Sequence, residues 1–324
     1  MAKWIKRIVA VLVIVIATGL AYVKLALPNV GKAEDLKFEV TPDMIKRGEY
    51  LAFHVCVCMD CHAQRDWTKF SGPPIAGTEG KGGDVFTKEF GFPGTFYAKN
   101  ITPYNLKNWT DGEIMRAFTC GVDKNGVALF PVMPYHKYGT MDKEDIKSII
   151  AFLRTLKPIK YDAPASKPDF PMNFIINTIP QKASFTTLPS KDNVIDYGKY
   201  LVNAAGCSEC HTNVNKGKPI EGMDFAGGRE FIFPRGKKNV AANITPDNET
   251  GIGYWTETTF VNKFKSFSDR SKLQDYKSPK DYQSIMPWSM YAGMDSSDLS
   301  AMFAYLKTLK PIVNKVEKNS IAEN

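Results

Sequence analysis

The sequence predicts a mainly α-helical protein in which two similar domains follow an N-terminal transmembrane helix. Three observations predict it. An uncharged run from Ile8 to Val23 opens the chain; Cys-Met-Asp-Cys-His at 58–62 returns as Cys-Ser-Glu-Cys-His at 207–211; and both copies are followed by the same signals in the same order. At 324 residues there is room for two domains of ordinary size. The 44% hydrophobic and 23% charged residues suit a globular chain rather than a disordered one. The 20 Pro and 24 Gly point to small helical domains with long irregular loops.

Residues 1–28 read as a membrane element. Lys3, Lys6 and Arg7 precede the apolar run, and Lys24 interrupts it before Leu25 to Leu27. The run is short for a span, but Lys24 can carry its ammonium to the interface and lengthen the usable stretch. The basic flank then stays in the cytoplasm, and everything after residue 28 lies on the outer side of the cytoplasmic membrane. A cleaved signal peptide is the other reading, with Gly19-Leu20-Ala21 as a weak cleavage site. Both readings export the chain to the periplasm or cell exterior. Export, and the lack of any nucleic-acid motif, set aside the nucleic-acid partner that a net charge of +8 would suggest. A run of basic residues, Lys263, Lys265, Arg270, Lys272, Lys277 and Lys280, is either a solvated loop or a surface that steers an acidic redox partner.

The first half, 36–158, opens with a short helix started by Thr41-Pro42 and carrying Gly48-Glu49-Tyr50-Leu51. The second, 192–312, matches it with Gly198-Lys199-Tyr200-Leu201, for which Asp192 is the expected cap. Gly-rich loops and Asn-Ile-Thr-Pro follow, at Asn100 and again at Asn243. Trp109-Thr110 and Trp255-Thr256 open the next helix; Thr110 and Glu113 form a capping box, and Gly121 is a natural stop. Met133-Pro134-Tyr135 then aligns with Met286-Pro287-Trp288, Tyr138 with Tyr291 and Met141 with Met294. A final amphipathic helix, capped by Asp142 or Asp295, carries Ile146, Ile149, Ile150 and Leu153 in one half and Leu299, Met302, Phe303 and Leu306 in the other. Between the halves, residues 159–191 form a Pro-rich linker. Its Phe170, Met172, Phe174, Ile175, Ile176 and Ile179 are apolar enough to require packing across both domains. A polar tail, 313–324, closes the chain.

The pentapeptides carry the chemistry. C-x-x-C-H is the attachment signal for haem c: two thiols add across the two vinyl groups of one porphyrin, and the adjoining imidazole binds iron from the same face. A zinc site needs further ligands close by, and a thioredoxin-like pair needs a βαβ setting; neither surrounds these copies. Cys58, Cys61, Cys207 and Cys210 are therefore expected to hold two covalent haems, with His62 and His211 as proximal ligands. For the opposite face, Met133 and Met286 are the candidates, because both precede Pro in a loop just before the terminal helix. Met290 and Met294 are rivals in the second half. A thioether there raises the reduction potential and closes the iron to small molecules. His54 and His136 have no histidine counterparts, which points to surface or core roles. Cys56 and Cys120 occur in one half only and are expected to form a disulfide, the alternatives being two buried thiols or a Cys ligand to iron. Asn100, Asn243, Trp109 and Trp255 are candidate propionate contacts, the indoles equally candidates for plain core.

Helix, haem motif, loops, helix, Met-Pro loop and terminal helix is the order of a class I cytochrome c domain. The chain resembles membrane-anchored dihaem c-type cytochromes and is similar to the multihaem cytochrome c subunits of membrane-bound alcohol, aldehyde and gluconate dehydrogenases. The resemblance covers about residues 42 to 312 and rests on the Gly-Glu-Tyr-Leu, Asn-Ile-Thr-Pro-Asp-Asn-Glu-Thr-Gly-Ile-Gly-Tyr-Trp (from Asn243) and Phe-Pro-Val-Met-Pro-Tyr (from Phe130) segments. It implies tandem domains that pass electrons from a dehydrogenase toward quinone or a terminal oxidase, with redox partner proteins drawn from dehydrogenases, quinol-oxidising complexes and terminal oxidases. Those subunits resemble three haem domains in a row, against two here. A non-enzymatic electron carrier is the leading expectation. A dihaem peroxidase, or another dihaem oxidoreductase with one open haem, is the alternative.

Overall fold

The computed structural model describes residues 2–232, 237–278, 281–317 and 319–321. Helix α1 (Ala2–Leu25) has 24 residues. At 1.5 Å per residue that is about 36 Å, longer than the ~30 Å hydrocarbon core of a bilayer. Its apolar side chains are bare, with Ile8, Leu12, Ile16 and Leu20 all exposed. A bare apolar rod of this length suits either a membrane anchor or a signal peptide.

The first half begins with α2 (Pro42–Tyr50), where the Thr41 hydroxyl accepts from the Met44 N–H as expected. It runs through one π-helical turn, Leu51–Val55, to the short α3 (Cys58–Cys61). The hairpin β1 (Val85–Phe86) and β2 (Gly94–Tyr97) follows, then α4 (Pro103–Leu106) and α5 (Asp111–Cys120). The Thr110–Glu113 capping box is present, and Gly121 ends α5 at φ 77°. Next come α6 (Tyr135–Tyr138) and α7 (Lys143–Thr155). Between the halves, β3 (Lys167–Pro168) pairs antiparallel with β2 and leads to α8 (Met172–Ile175).

The second half repeats the order with α9 (Val194–Ala204), α10 (Cys207–His211) and a hairpin of β4 (Val214–Asn215) and β5 (Lys218–Pro219). It continues with β6 (Glu230–Ile232), β7 (Lys237–Val240), α11 (Glu257–Lys265), α12 (Trp288–Tyr291), α13 (Ser296–Lys307) and β8 (Asn319–Ile321). The cap of α9 is Asn193, not Asp192: the Asn193 amide oxygen accepts from the Asp196 N–H, and Asp192 turns back to Ser190. The small sheets β1-β2-β3 and β6-β7-β8 were not foreseen. Strands of two to four residues are too short to show a period-two pattern. In both sheets the chain leaving the terminal helix returns as the third strand. The start of the linker and the expected polar tail thus play the same part.

The Gly in each Gly-x-Tyr-Leu sequence is a packing device. Helix α2 crosses α7 so closely that a Cβ on Gly48 would lie 1.8 Å from the Ser148 carbonyl oxygen; on Gly198, where α9 crosses α13, it would lie 1.9 Å from that of Ala301. Glycine alone lets the backbones touch. The adjoining Leu51 and Leu201 are fully buried, as are Ile146, Ile150, Leu299 and Leu306 or nearly so. One continuous apolar core runs through both halves. A second, smaller core joins Phe96, Ala128 and Ile176. The linker wraps the first half, where Ser184 and Thr186 donate to the Gly139 and Met141 carbonyls, and its last residue, Lys191, reaches Asp298 of the second. Of its apolar residues Ile176 is buried, but Phe170 and Ile175 stay exposed.

Candidate haem sites

Each C-x-x-C-H sequence forms one helical turn entered through a left-handed residue, Val57 at φ 45° and Gly206 at φ 63°. The turn is held from behind. The Tyr138 hydroxyl donates to the Cys56 carbonyl at 3.0 Å, and Tyr291 donates to the Ala205 carbonyl at 2.7 Å. The aligned tyrosines of the two halves thus do one job, fixing the helix end that delivers the cysteines.

The imidazoles are oriented in the same way twice. His62 Nδ1 lies 2.6 Å from the Lys99 carbonyl oxygen, and His211 Nδ1 lies 2.7 Å from that of Ala242. A carbonyl only accepts, so Nδ1 carries the proton and the lone pair sits on Nε2, the tautomer a metal-binding imidazole needs. Burial also holds both rings below their ordinary pKa and keeps them neutral. Behind each ring, a glycine N–H donates to the histidine carbonyl: Gly82 to His62 at 2.9 Å and Gly227 to His211 at 2.7 Å. Both glycines have positive φ, and a Cβ there would strike the Lys99 or Ala242 carbonyl that orients the imidazole. Sequence reasoning missed these partners. Their signal was present in the Gly82-Gly83 and Gly227-Gly228 pairs, and in the residue just before each Asn-Ile-Thr-Pro.

Burial pushes the Cys58 and Cys207 thiols up to about 12 and the more exposed Cys210 thiol to about 11. A thioredoxin-like pair needs the opposite shift, toward thiolate. Among the described residues no cluster of His, Cys, Asp and Glu has the makings of a metal cage. The donor set, two neutral thiols beside one outward-facing imidazole nitrogen, fits a covalent haem c in each half.

Met133 and Met286 occupy matching turns. Each carbonyl accepts from the N–H two residues on, at 2.7 and 2.8 Å, and the following prolines adopt nearly equal angles, φ −77°, ψ 58° and φ −79°, ψ 63°. Both side chains are half-buried at the edge of the main core. The rivals lie elsewhere. Met290 and Met294 are fully buried, and Met290 Sδ accepts from Arg270.

One expectation is corrected. Cys56 and Cys120 are both free and buried, with no disulfide between them. The Cys56 thiol faces the Met141 sulfur at 3.8 Å, and Cys120 lies against the Thr119 hydroxyl. The Asn100 side chain is engaged within the protein: its NH2 donates to the Ile159 and Tyr161 carbonyls, and its oxygen accepts from Thr102. Asn243 does the same with Thr250, Ile312 and Thr245. These amides staple the chain leaving each terminal helix to the loop that carries the histidine-orienting carbonyl. Trp109 and Trp255 pack at the edge of the main core. The basic run is largely engaged: Lys265 bonds the Ala292 and Met294 carbonyls, Lys272 pairs with Asp269, and Lys277 with Asp275. Lys280 lies outside the described residues.

The halves meet through reciprocal contacts. The Tyr50 hydroxyl donates to Asp298 at 2.8 Å and accepts from the Asp295 N–H. Tyr200 donates to Asp145 at 2.6 Å and accepts from the Asp142 N–H. His54 reaches the Met290 carbonyl with Nδ1, and its counterpart Asn203 reaches that of Lys137. His136 bonds Glu209, inside the second haem motif, at 3.1 Å. Burial alone would raise the Glu209 carboxyl, but His136, Lys137 and Arg229 hold it below its ordinary value. Both spare histidines therefore join the halves.

Residues 195–310 match the cytochrome c family. Over 285 residues, 83% of this chain, the sequence is 29% identical to the cytochrome c subunit of the quinone alcohol dehydrogenase of Gluconobacter oxydans, of which it covers 55%. It is 26% identical over 82% of its length to the gluconate 2-dehydrogenase cytochrome c subunit of Pantoea cypripedii, of which it covers 59%. The chain thus spans a little over half the length of these subunits. It is also 29% identical over 74% of its length to a dihaem c-type cytochrome of Cereibacter sphaeroides, covering 80% of that protein. Residues 195–310 carry a cytochrome c domain, and over most of its length the chain is a homologue of the cytochrome c subunits of alcohol and gluconate dehydrogenases.

Proposed function

We propose that the chain is a dihaem electron carrier: two tandem class I cytochrome c domains, 36–158 and 192–312, anchored by α1 with both haems on the outer side of the cytoplasmic membrane. The observation that carries this reading is the repeated imidazole geometry, with His62 and His211 each presenting Nε2 from a carbonyl-locked Nδ1. Haem c, when bound, supplies a one-electron ferric/ferrous couple. Cys58 and Cys61 would hold one haem by thioether bonds and Cys207 and Cys210 the other. His62 and His211 would be the proximal ligands, with Met133 and Met286 opposite. Trp109 and Trp255 remain candidates for the propionate edge.

The halves share one core, and His136 of the first bonds Glu209 within the second haem motif. This supports a fixed spacing between the two centres. The relatives' names support a dehydrogenase as electron donor; a quinol-oxidising complex and a terminal oxidase are the other candidate redox partners. The chain would carry electrons for such a complex and catalyse no substrate chemistry itself.

The test is the optical and EPR spectrum of the purified ferric protein with a haem count per chain. Two c-haems, both low spin with a full thioether-to-iron charge-transfer band, are expected. One high-spin haem would overturn the closed His/Met assignment and bring forward peroxidase chemistry.

A further inference from the structure

We propose that the segment from Phe170 to Ile175 is a second membrane contact, its apolar outer face lying in the interfacial layer of the lipid beside α1. This rests on the reading of α1 as a retained anchor. The two elements are in contact. Lys24, at the last turn of α1, donates to the Asn173 carbonyl at 2.7 Å and sits 4.8 Å over the Phe174 ring. A lysine ending an apolar span puts its ammonium at the headgroup level. Asn173 and Phe174 are thereby set at that depth.

The segment has two unlike faces. Inward, Ile176 is buried and Met172 packs beside it, against the small core that contains Phe96 and Phe130, whose rings stack at 4.1 Å. The preceding β3 is bonded to β2. Outward, Phe170 is 81% exposed and leans edge-on against Phe174, Ile175 is 43% exposed, and Leu25 on the anchor itself is 87% exposed. Three large apolar side chains lie bare on neighbouring elements, on a segment anchored from behind. They lie beside the Lys24 end of α1, whose own apolar side chains are bare, and lipid is the occupant that covers α1. Aromatic residues are favoured at this level of a bilayer. With two points of attachment, the first half is held against the membrane and cannot swivel freely on α1.

The test uses the full haem-loaded chain in vesicles of phosphatidylcholine and phosphatidylglycerol. Nitroxides are attached at Phe170→Cys, Ile175→Cys, Val13→Cys within α1, and Thr258→Cys on an exposed part of α11, with unlabelled wild type as control. EPR saturation compares collisions with oxygen, which enters lipid, and with a nickel chelate, which stays in water. The oxygen-to-nickel ratio at 170 and 175 should be several-fold above that at 258 and approach that at 13. Ratios at 170 and 175 equal to that at 258, with 13 in lipid, would overturn the contact and leave the anchor standing. Labels at 170 and 175 shielded from both reagents would mean that protein, such as a second copy, covers the patch, and would also overturn it. A water-exposed label at 13 would remove the anchor reading and the contact with it.

Discussion

Removing the hydroxyls of Tyr50 and Tyr200 tests the reciprocal junction between the halves. In Tyr200→Phe the buried Asp145 carboxylate loses its 2.6 Å donor and the Asp142 N–H loses its acceptor. Asp145 is not orphaned, because Arg47 still grips both oxygens at 2.9 and 2.8 Å. In Tyr50→Phe, Asp298 likewise keeps Tyr197 and Lys191. A hydrogen bond to a charged acceptor contributes about 1.5–3 kcal/mol, and each substitution should cost about 2 kcal/mol. That is a change of roughly 30-fold in the folding equilibrium. The two losses should be similar, since the same contact is made twice. Guanidinium unfolding followed by far-ultraviolet circular dichroism measures each one. Burial raises the pKa of both phenols, so the donors persist and the effect should be flat from neutral to mildly alkaline pH. Wild-type midpoints in both variants, or a large loss in only one, would refute the reciprocal junction.

Met133→Ala and Met286→Ala should each convert one haem to high spin without loss of covalent haem, read by EPR; two fully low-spin haems in both variants would remove these ligands. Gly48→Ala and Gly198→Ala should lower the thermal midpoint. A methyl 1.8 or 1.9 Å from a carbonyl oxygen forces the helices apart, and the overpacking cost of about 1–3 kcal/mol or more should exceed the ~1 kcal/mol helix preference for Ala. Burial lowers the His54 pKa below the ordinary 6.5, so below that value the unfolded chain takes up more protons than the folded one. His54 stability is therefore full above pH 6.5 and declines as pH falls through the lowered pKa; in His54→Asn, which keeps the donor found at Asn203, the pH slope of the denaturation midpoint should flatten there.

The repeat was legible because its chemistry is local. C-x-x-C-H, the Thr110 capping box and the apolar stripes of α7 and α13 act within a few residues, and each fell where its spacing put it. What escaped was set by distant parts of the chain. The carbonyls that orient the histidines belong to Lys99 and Ala242, which any residue type could supply. Asn100 and Asn243 stood out as a repeat, but their partners at Ile159, Tyr161 and Ile312 are backbone atoms and invisible to a motif. Cys56 and Cys120 invited a disulfide because they share one half; packing turns Cys56 to Met141 instead. Phe170 and Ile175 looked too apolar for solvent, and the protein core does not take them in.

The exchanged contacts at the junction make the chain resemble a two-fold homodimer whose subunits have been spliced end to end. In a true homodimer every substitution appears on both sides of the axis at once. Here each side mutates alone. His54 and Asn203 already show the result: one role, two residue types, and only one that senses protons. The splice allows the surroundings of one C-x-x-C-H motif to drift in charge while the other stays fixed, and the docking of the halves is preserved. A single gene can in this way turn two equal carriers into a donor and an acceptor.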